Sequence, residues 1–562
     1  MNVKLKINLN TIAFLLFLVL TSLWFYFVLN HAKFGIDTNA LIDILPKFFW
    51  IDFSLIILFL FLNIDNIKKQ VKISEKTKIY LLIIISIGFL FRAFLVPHTH
   101  RVFFDEDLYL GIANSIATEN RAILCNYGEP TRCFEGILNK DPSGFPFLVS
   151  IFFRIFGKGD HIAFALSTII GTLSILVIFL TSLLIFNDEK TALYASLFFA
   201  FLPVNIVWSG SAATEIYFLF FSLLTTFSLI LFSKTNDYKA LALGISFLAF
   251  TVQIRPEGLL FVLIFAISFF AFVRELKKTI FDYKFFLILL LFLFLILPHT
   301  IQMYIFREGD WGAPNGKKFS LEYLGFNLKD NIGFFINNEM HPIIITILAL
   351  FGSYYIFKKD LKLIVSLFSW FFLFFVLFVL FYAGSVLSGG IGSRFVNIYI
   401  SPLILLAGFG ASELRKRIEN KKHFDFGIIF LLLLSFYLCL PYITIPDKQA
   451  QYARDMHDFV MRNMEKIDPK CYVFTHNPSI FLVAGRNSLQ TWYAQFPYAV
   501  QPIFNATDCV MWLEGAWCLF EPFKSTVCKY MHDNYDLEIV ARLVREENPG
   551  QVFTIYRVYR RS

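Results

Sequence analysis

The chain has 562 residues, of which 57% are hydrophobic and only 16% charged, with a mean hydropathy of +0.63. Soluble domains run at roughly 45–50% apolar and about 25% charged, so a soluble globular protein is excluded. The net charge of +8 does not point to nucleic acid, because Lys and Arg crowd the short loops on one side of successive apolar runs, as the positive-inside rule describes.

A helix crosses a bilayer with roughly 20 apolar residues. On that basis thirteen segments are expected to span: Thr11–Leu29, Phe48–Leu62, Ile79–Val96, Ile162–Phe186, Ala192–Val207, Ile216–Phe232, Ala240–Val252, Leu259–Val273, Phe285–Pro298, Ile343–Phe357, Leu363–Phe381, Ile398–Ala411 and Phe426–Leu440. Thr11–Leu29 is long for a signal peptide and no small-residue cleavage site follows it, so it reads as the first span. Cations at Lys68–Lys78, Arg274–Lys278, Lys358–Lys362 and Arg415–Lys422 place the N-terminus in the cytoplasm. An odd number of spans then puts the C-terminus outside.

The expected organisation is an N-terminal hairpin with its cytoplasmic loop (1–78), a membrane module (79–440) with outer loops 97–161 and 300–341, and an extracytoplasmic domain (441–562). The last domain reads as α/β: helices over Asp447–Lys466 and Pro522–Tyr535, and strands over Cys471–Thr475, Ile480–Ala484, Leu537–Val544 and Val552–Val558. Six of the seven cysteines lie outside the spans, which permits three disulfides on the oxidising side. Cys125–Cys133 is the pair favoured. Asn505-Ala506-Thr507 fits a glycosylation sequon.

Charged residues gather at the outer edge. Asp105-Glu106-Asp107 stands just beyond a span, followed by Leu108, Ile112 and Ile116 at helical spacing. Helix capping accounts for one or two of these acids. The loop ends in Asn139-Lys140-Asp141-Pro142, where Pro and Gly punctuation suffices on the residues alone and Lys140 as an anion ligand is the functional reading. Glu215 sits at the outer end of a tight hairpin, where a carboxylate needs water or a partner. Arg255-Pro256-Glu257-Gly258 and Gly389-Gly390-Ile391-Gly392-Ser393-Arg394 each deliver an arginine near the same interface. Acids and bases converging there suit a lipid phosphate held by arginine and a carboxylate acting as general base on an acceptor hydroxyl.

Phe104-Asp105-Glu106-Asp107-Leu108-Tyr109, Lys140-Asp141-Pro142, Leu202-Pro203 through Thr214-Glu215, Arg255-Pro256-Glu257-Gly258 and Ser393-Arg394-Phe395, in this order, resemble the GT-C superfamily of polyprenyl-phosphate-sugar glycosyltransferases, which includes protein O-mannosyltransferases and the lipid A aminoarabinose transferase. The resemblance implies a polytopic helical membrane protein of GT-C type. It implies inverting transfer from a dolichyl- or undecaprenyl-phosphate sugar to a glycan, lipid or protein acceptor. Asp105, Glu106 and Glu215 would be catalytic, and Lys140, Arg255 and Arg394 would meet the donor phosphate. Metal-free catalysis is expected. Metal-dependent relatives instead imply Asp105, Asp107 and Glu215 as oxygen ligands of Mg2+ or Mn2+. Asp141-Pro142 departs from the family's Pro-Pro, and the Trp-Trp-Asp motif of oligosaccharyltransferases is absent. Two rival readings are a transporter, against which the lack of internal repeats and of midplane charges argues, and a non-catalytic envelope-assembly protein.

Overall fold

Long runs of Leu, Ile and Phe have no polar partner to offer the backbone, so helices that bond internally are the only way to bury them in lipid. The computed structural model, which describes residues 9–309, 312–313, 316–387, 390–446, 448–545 and 552–561, shows helix at each of the thirteen expected segments. Gly389 and Asp447 lie outside the described residues. Among the described residues, eight helices are long and apolar enough to cross a membrane: Leu9–Leu29, Thr38–Leu62, Glu75–Leu95, Asp160–Phe186, Thr214–Thr235, Tyr283–Ile305, Leu361–Leu380 and Lys421–Thr444. Ile391–Tyr399 and Ser401–Arg417, bent by 60°, make a ninth if counted as one span.

Among the described residues, eight or nine helices are thus long enough to span by themselves, which does not confirm the count of thirteen. Hydropathy registers apolar residues but not where the helix breaks. Tyr238–Val252 and Gly258–Phe272 are separate 15-residue helices, each about 22 Å long at 1.5 Å per residue, short of a bilayer core of about 30 Å. Glu189–Ala200 ends before Pro203, which starts a second short helix to Trp208.

The first two helices pack onto the rest. Trp24 Nε1 donates to the Leu293 carbonyl at 2.8 Å, and Gln253 Nε2 donates to Asp52 at 3.1 Å inside the bundle. Small residues set the closest helix pair. A Cβ on Gly352 or Gly410 would come within 2.0 Å of the carbonyl of Leu406 or Leu348, so these glycines let Ile343–Lys359 and Ser401–Arg417 touch backbone to backbone.

The C-terminal domain is built on a seven-stranded sheet in the order β2-β1-β4-β3-β5-β7-β6. Its strands are β1 (Leu124–Glu129), β2 (Arg132–Ile137), β3 (Tyr472–Thr475), β4 (Asn487–Gln490), β5 (Val510–Glu514), β6 (Tyr535–Val544) and β7 (Val552–Arg560). The first two come from the 97–161 loop and join through β1, whose Tyr127 and Gly128 pair with Leu489 and Ser488. The expected strand over Ile480–Ala484 is instead a helix, Pro478–Val483, started by Pro478 at its first turn. The Pro522–Tyr535 helix divides into Lys524–Cys528 and Lys529–Asn534.

Three disulfides join Cys125 to Cys133, Cys471 to Cys509 and Cys518 to Cys528, and Cys439 is free and buried. Non-reducing peptide mapping is expected to return these pairs. Replacing both Cys471 and Cys509 by Ala should lower the thermal midpoint in detergent, by the equivalent of about 2–4 kcal/mol; an unchanged midpoint would contradict the pairing.

Candidate active site

Glu75–Leu95 ends, and Asp160–Phe186 and Thr214–Thr235 begin, at one end of the bundle. A cavity of about 580 Å3 opens there, lined by Asp105, Tyr109, Lys140, Asp141, Thr214, Arg255, Glu257, Tyr382, Arg394 and Gln449 among others. Phe103, at φ 39°, takes the left-handed conformation. The turn around it sends the chain into the Asp105–Glu119 helix with Asp105 facing the cavity and Tyr109 one turn on.

The Asp105 carboxylate is 46% accessible and lies 4.0 Å from Arg394 Nη1. Protein walls on its other sides push its carboxyl up to about 6; Arg394 pulls it down and Asp141 pushes it up. Asp141 is likewise raised by burial, against the pull of Lys140. Glu215 sits beneath the cavity wall, 1% exposed, 3.1 Å from Arg394 Nε. It also accepts from Arg255 Nη1. Arg255 donates to Thr214 Oγ1 at 2.7 Å and to both oxygens of Glu257 at 3.0 and 2.9 Å. Burial weakens the hold of Arg255 on its proton, but Glu215 and Glu257 outweigh that effect and strengthen it. Burial raises the Glu257 carboxyl, and Arg255 more than reverses the effect. Both guanidinium groups stand near the Phe395 ring, at 5.5 and 4.9 Å.

Supporting contacts hold each segment. Gly144 donates its N–H to the Gln253 carbonyl at 3.0 Å, and a Cβ there would fall 2.4 Å from that oxygen. Only glycine brings the Lys140 loop so close to the Arg255 turn. Gln302 donates to the carbonyls of Asn139 and Asp141 at 2.9 and 3.2 Å. Arg394 is set from below by a relay. Arg92 donates to Asn205 at 2.7 Å, Asn205 to Asn397 at 3.1 Å, and Asn397 to the Arg394 carbonyl at 3.2 Å.

The structure therefore brings Asp105, Lys140, Arg255 and Arg394 to one cavity, with Glu215 behind it. Two expected residues do not join them. Glu106 is fully buried and accepts from the N–H groups of Arg101, Val102 and Ala212 at 2.6, 3.0 and 2.8 Å. Burial would raise its carboxyl, but His100 and these N–H groups lower it. It ties the loop before the helix to the 209–214 turn. Asp107 is two residues from Asp105, about 200° around a helix, and faces His457 and Asn477 of the C-terminal domain instead. The metal set Asp105, Asp107 and Glu215 is accordingly not a cluster: Asp107 points away and Glu215 is already paired with two arginines.

Tyr109, Asp141 and Glu257 line the cavity beside residues expected to act. The four-residue step from Asp105 was the signal for Tyr109. Tyr382 and Gln449 carried none. A second cluster of metal-ligand types, His476 with Cys518 and Cys528, is closed to a metal because both sulfurs are in a disulfide.

The architecture is therefore a bundle of apolar helices with a charged cavity at one end and a sheet domain beside it. Residues 140–301, less than half of the chain, match the family described as dolichyl-phosphate-mannose-protein mannosyltransferase. No curated protein matches it by sequence. Among solved structures it is similar to ArnT from Cupriavidus metallidurans in the apo state, with a TM-score of 0.56 and 11% identity over 86% of this chain and 98% of that one. The same protein bound to undecaprenyl phosphate gives 0.53 and 11% over 85% and 97%. The apo oligosaccharyltransferase of Archaeoglobus fulgidus gives 0.50 and 12% over 86% and 74%.

Replacing Glu215 by Ala should cost about 3–5 kcal/mol, because removing one partner leaves buried charge uncompensated. The measurement is the thermal midpoint in detergent, and a wild-type value would contradict the clamp.

Proposed function

We propose that the chain transfers a sugar, with inversion, from a dolichyl- or undecaprenyl-phosphate carrier to a hydroxyl of a glycan, glycolipid or protein on the extracytoplasmic face of the cell membrane. The observation that carries this reading is Asp105 facing Arg394 across 4.0 Å in one cavity at the end of the spans. The cationic loops Lys68–Lys78, Arg274–Lys278, Lys358–Lys362 and Arg415–Lys422 support an orientation with that end outside and the N-terminus inside. The match of residues 140–301 to the dolichyl-phosphate-mannose-protein mannosyltransferase family and the undecaprenyl phosphate held by the similar ArnT support a lipid-phosphate donor.

In this reading Arg394 and Lys140 hold the donor phosphate. Arg255, saturated by Glu215 and Glu257, keeps Arg394 and the Lys140 loop in place. Asp105 accepts the proton of the acceptor hydroxyl as its oxygen attacks the anomeric carbon. The bond from that carbon to the phosphate oxygen breaks, and the leaving polyprenyl phosphate keeps the electron pair, its charge met by Arg394 and Lys140. Two arginines on Glu215 oppose a divalent cation at that carboxylate, which favours metal-free transfer.

Transfer is measured with full-length protein in detergent, labelled polyprenyl-phosphate hexoses and membrane extract as acceptor. Asp105→Asn should lower the rate by about 10²–10⁴ while keeping the wild-type thermal midpoint. Full activity in that variant would sink the assignment. A general base must be deprotonated, so kcat/KM should fall as pH drops through about 6 and level above it; a flat profile through pH 6 would exclude Asp105 as the base. Arg394→Ala should raise the donor KM, with Lys at this position rescuing only in part because it cannot bond bidentately.

A further inference from the structure

Away from the cavity, two imidazoles and two carboxylates meet where the C-terminal domain touches the membrane module. His100 lies in the loop before the Asp105–Glu119 helix, Asp107 in its first turn, and Asp160 at the start of Asp160–Phe186. His457 comes from the Gln451–Arg462 helix of the C-terminal domain. His100, Asp107 and His457 are 4%, 4% and 6% exposed. Asp107 Oδ1 is 3.1 Å from His457 Nδ1 and 3.9 Å from His100 Nε2. The rings are 4.3 Å apart and tilted by 46°, and one ligand atom from each of the three residues fits within 4.8 Å of the others.

His100 Nε2 and His457 Nδ1 are buried and face carboxylate oxygens without an aligned hydrogen bond, and His100 Nε2 also lies 3.4 Å from Asp160 Oδ2. Ligand atoms around a tetrahedral ion, with bonds of about 2.0–2.1 Å, sit about 3.3–3.4 Å apart, and the two observed separations bracket that value. The far side of each ring is backed by a carboxylate: His457 Nε2 is 2.8 Å from Asp160 Oδ2, and His100 Nδ1 is 3.4 Å from Glu106 Oε2. A carboxylate behind a ligating imidazole orients it and sharpens its basicity.

We propose that His100 Nε2, Asp107 Oδ1 and His457 Nδ1 bind one divalent transition-metal ion of the zinc type, with water as the fourth ligand. Two imidazoles and a carboxylate select zinc-like ions over Mg2+. The ion joins the C-terminal domain to the helix that carries Asp105, two residues from Asp107. This site is separate from the cavity, so it stands or falls independently of the transfer reaction.

The test uses full-length, tag-free protein in detergent, stripped of metal and equilibrated with micromolar free Zn2+ or Co2+. Mass spectrometry should find one zinc per wild-type chain, and stoichiometry should fall about tenfold or more in His457→Ala and in Asp107→Asn. The Co2+ form should show the intense visible absorption of a tetrahedral site. Wild-type protein that retains no zinc, or variants that retain as much as wild type, would overturn the site and leave the imidazoles as protonated partners of the carboxylates. The wild-type measurement decides even where a variant fails to fold.

Discussion

A single buried carboxylate, Glu215, holds the arginines of two distant chain segments. It contacts Arg255, 40 residues on, and Arg394, much further along the chain. In a low-dielectric wall an unpaired guanidinium or carboxylate is costly, so each of the three charges depends on the others. Glu257 completes the neutralisation of Arg255 through two parallel bonds, so Arg394, with its longer contacts to Glu215 and Asp105, is the cation turned to the cavity. The clamp thus sorts two similar arginines into different parts: one locked into structure, one available to an anion.

Around this clamp the membrane helices act as a frame for short irregular segments. Each is fixed by a specific polar contact rather than by apolar packing alone: Glu106 on three backbone N–H groups, Gln302 on two carbonyls, and the Arg92–Asn205–Asn397 relay under Arg394. Such buried bonds are costly to leave half made. They position the lining to within the tolerance that transfer chemistry demands. The 97–161 loop serves twice. Its helix carries Asp105, and its hairpin adds β1 and β2 to the sheet of the C-terminal domain, so the soluble domain and the cavity share one segment.

Much of this was legible in the chain. Hydropathy located the helical segments, and charges that survive at the edge of an apolar run marked Asp105, Lys140, Glu215, Arg255 and Arg394, because burying a charge without purpose is expensive. The pairing of Cys125 with Cys133 followed from their shared loop. Helix length was less legible: Pro203 divides the expected Ala192–Val207 segment into two short helices. The β1–β2 hairpin was not read, and its place in the sheet could not be, since its partner Leu489 lies 362 residues beyond Tyr127 (489 − 127) and leaves no local mark.

By itself, then, the sequence determined a polytopic membrane protein and the residue types at its reactive edge, because hydropathy and charge act locally and their cost is set position by position. Which of those residues face one another was decided only by tertiary structure. Asp105, Glu106 and Asp107 are adjacent and chemically alike, yet the 100° step of the helix sends one to the cavity, one to backbone N–H groups and one to the histidines of another domain. Direction around a helix acquires meaning only when neighbours pack against each face.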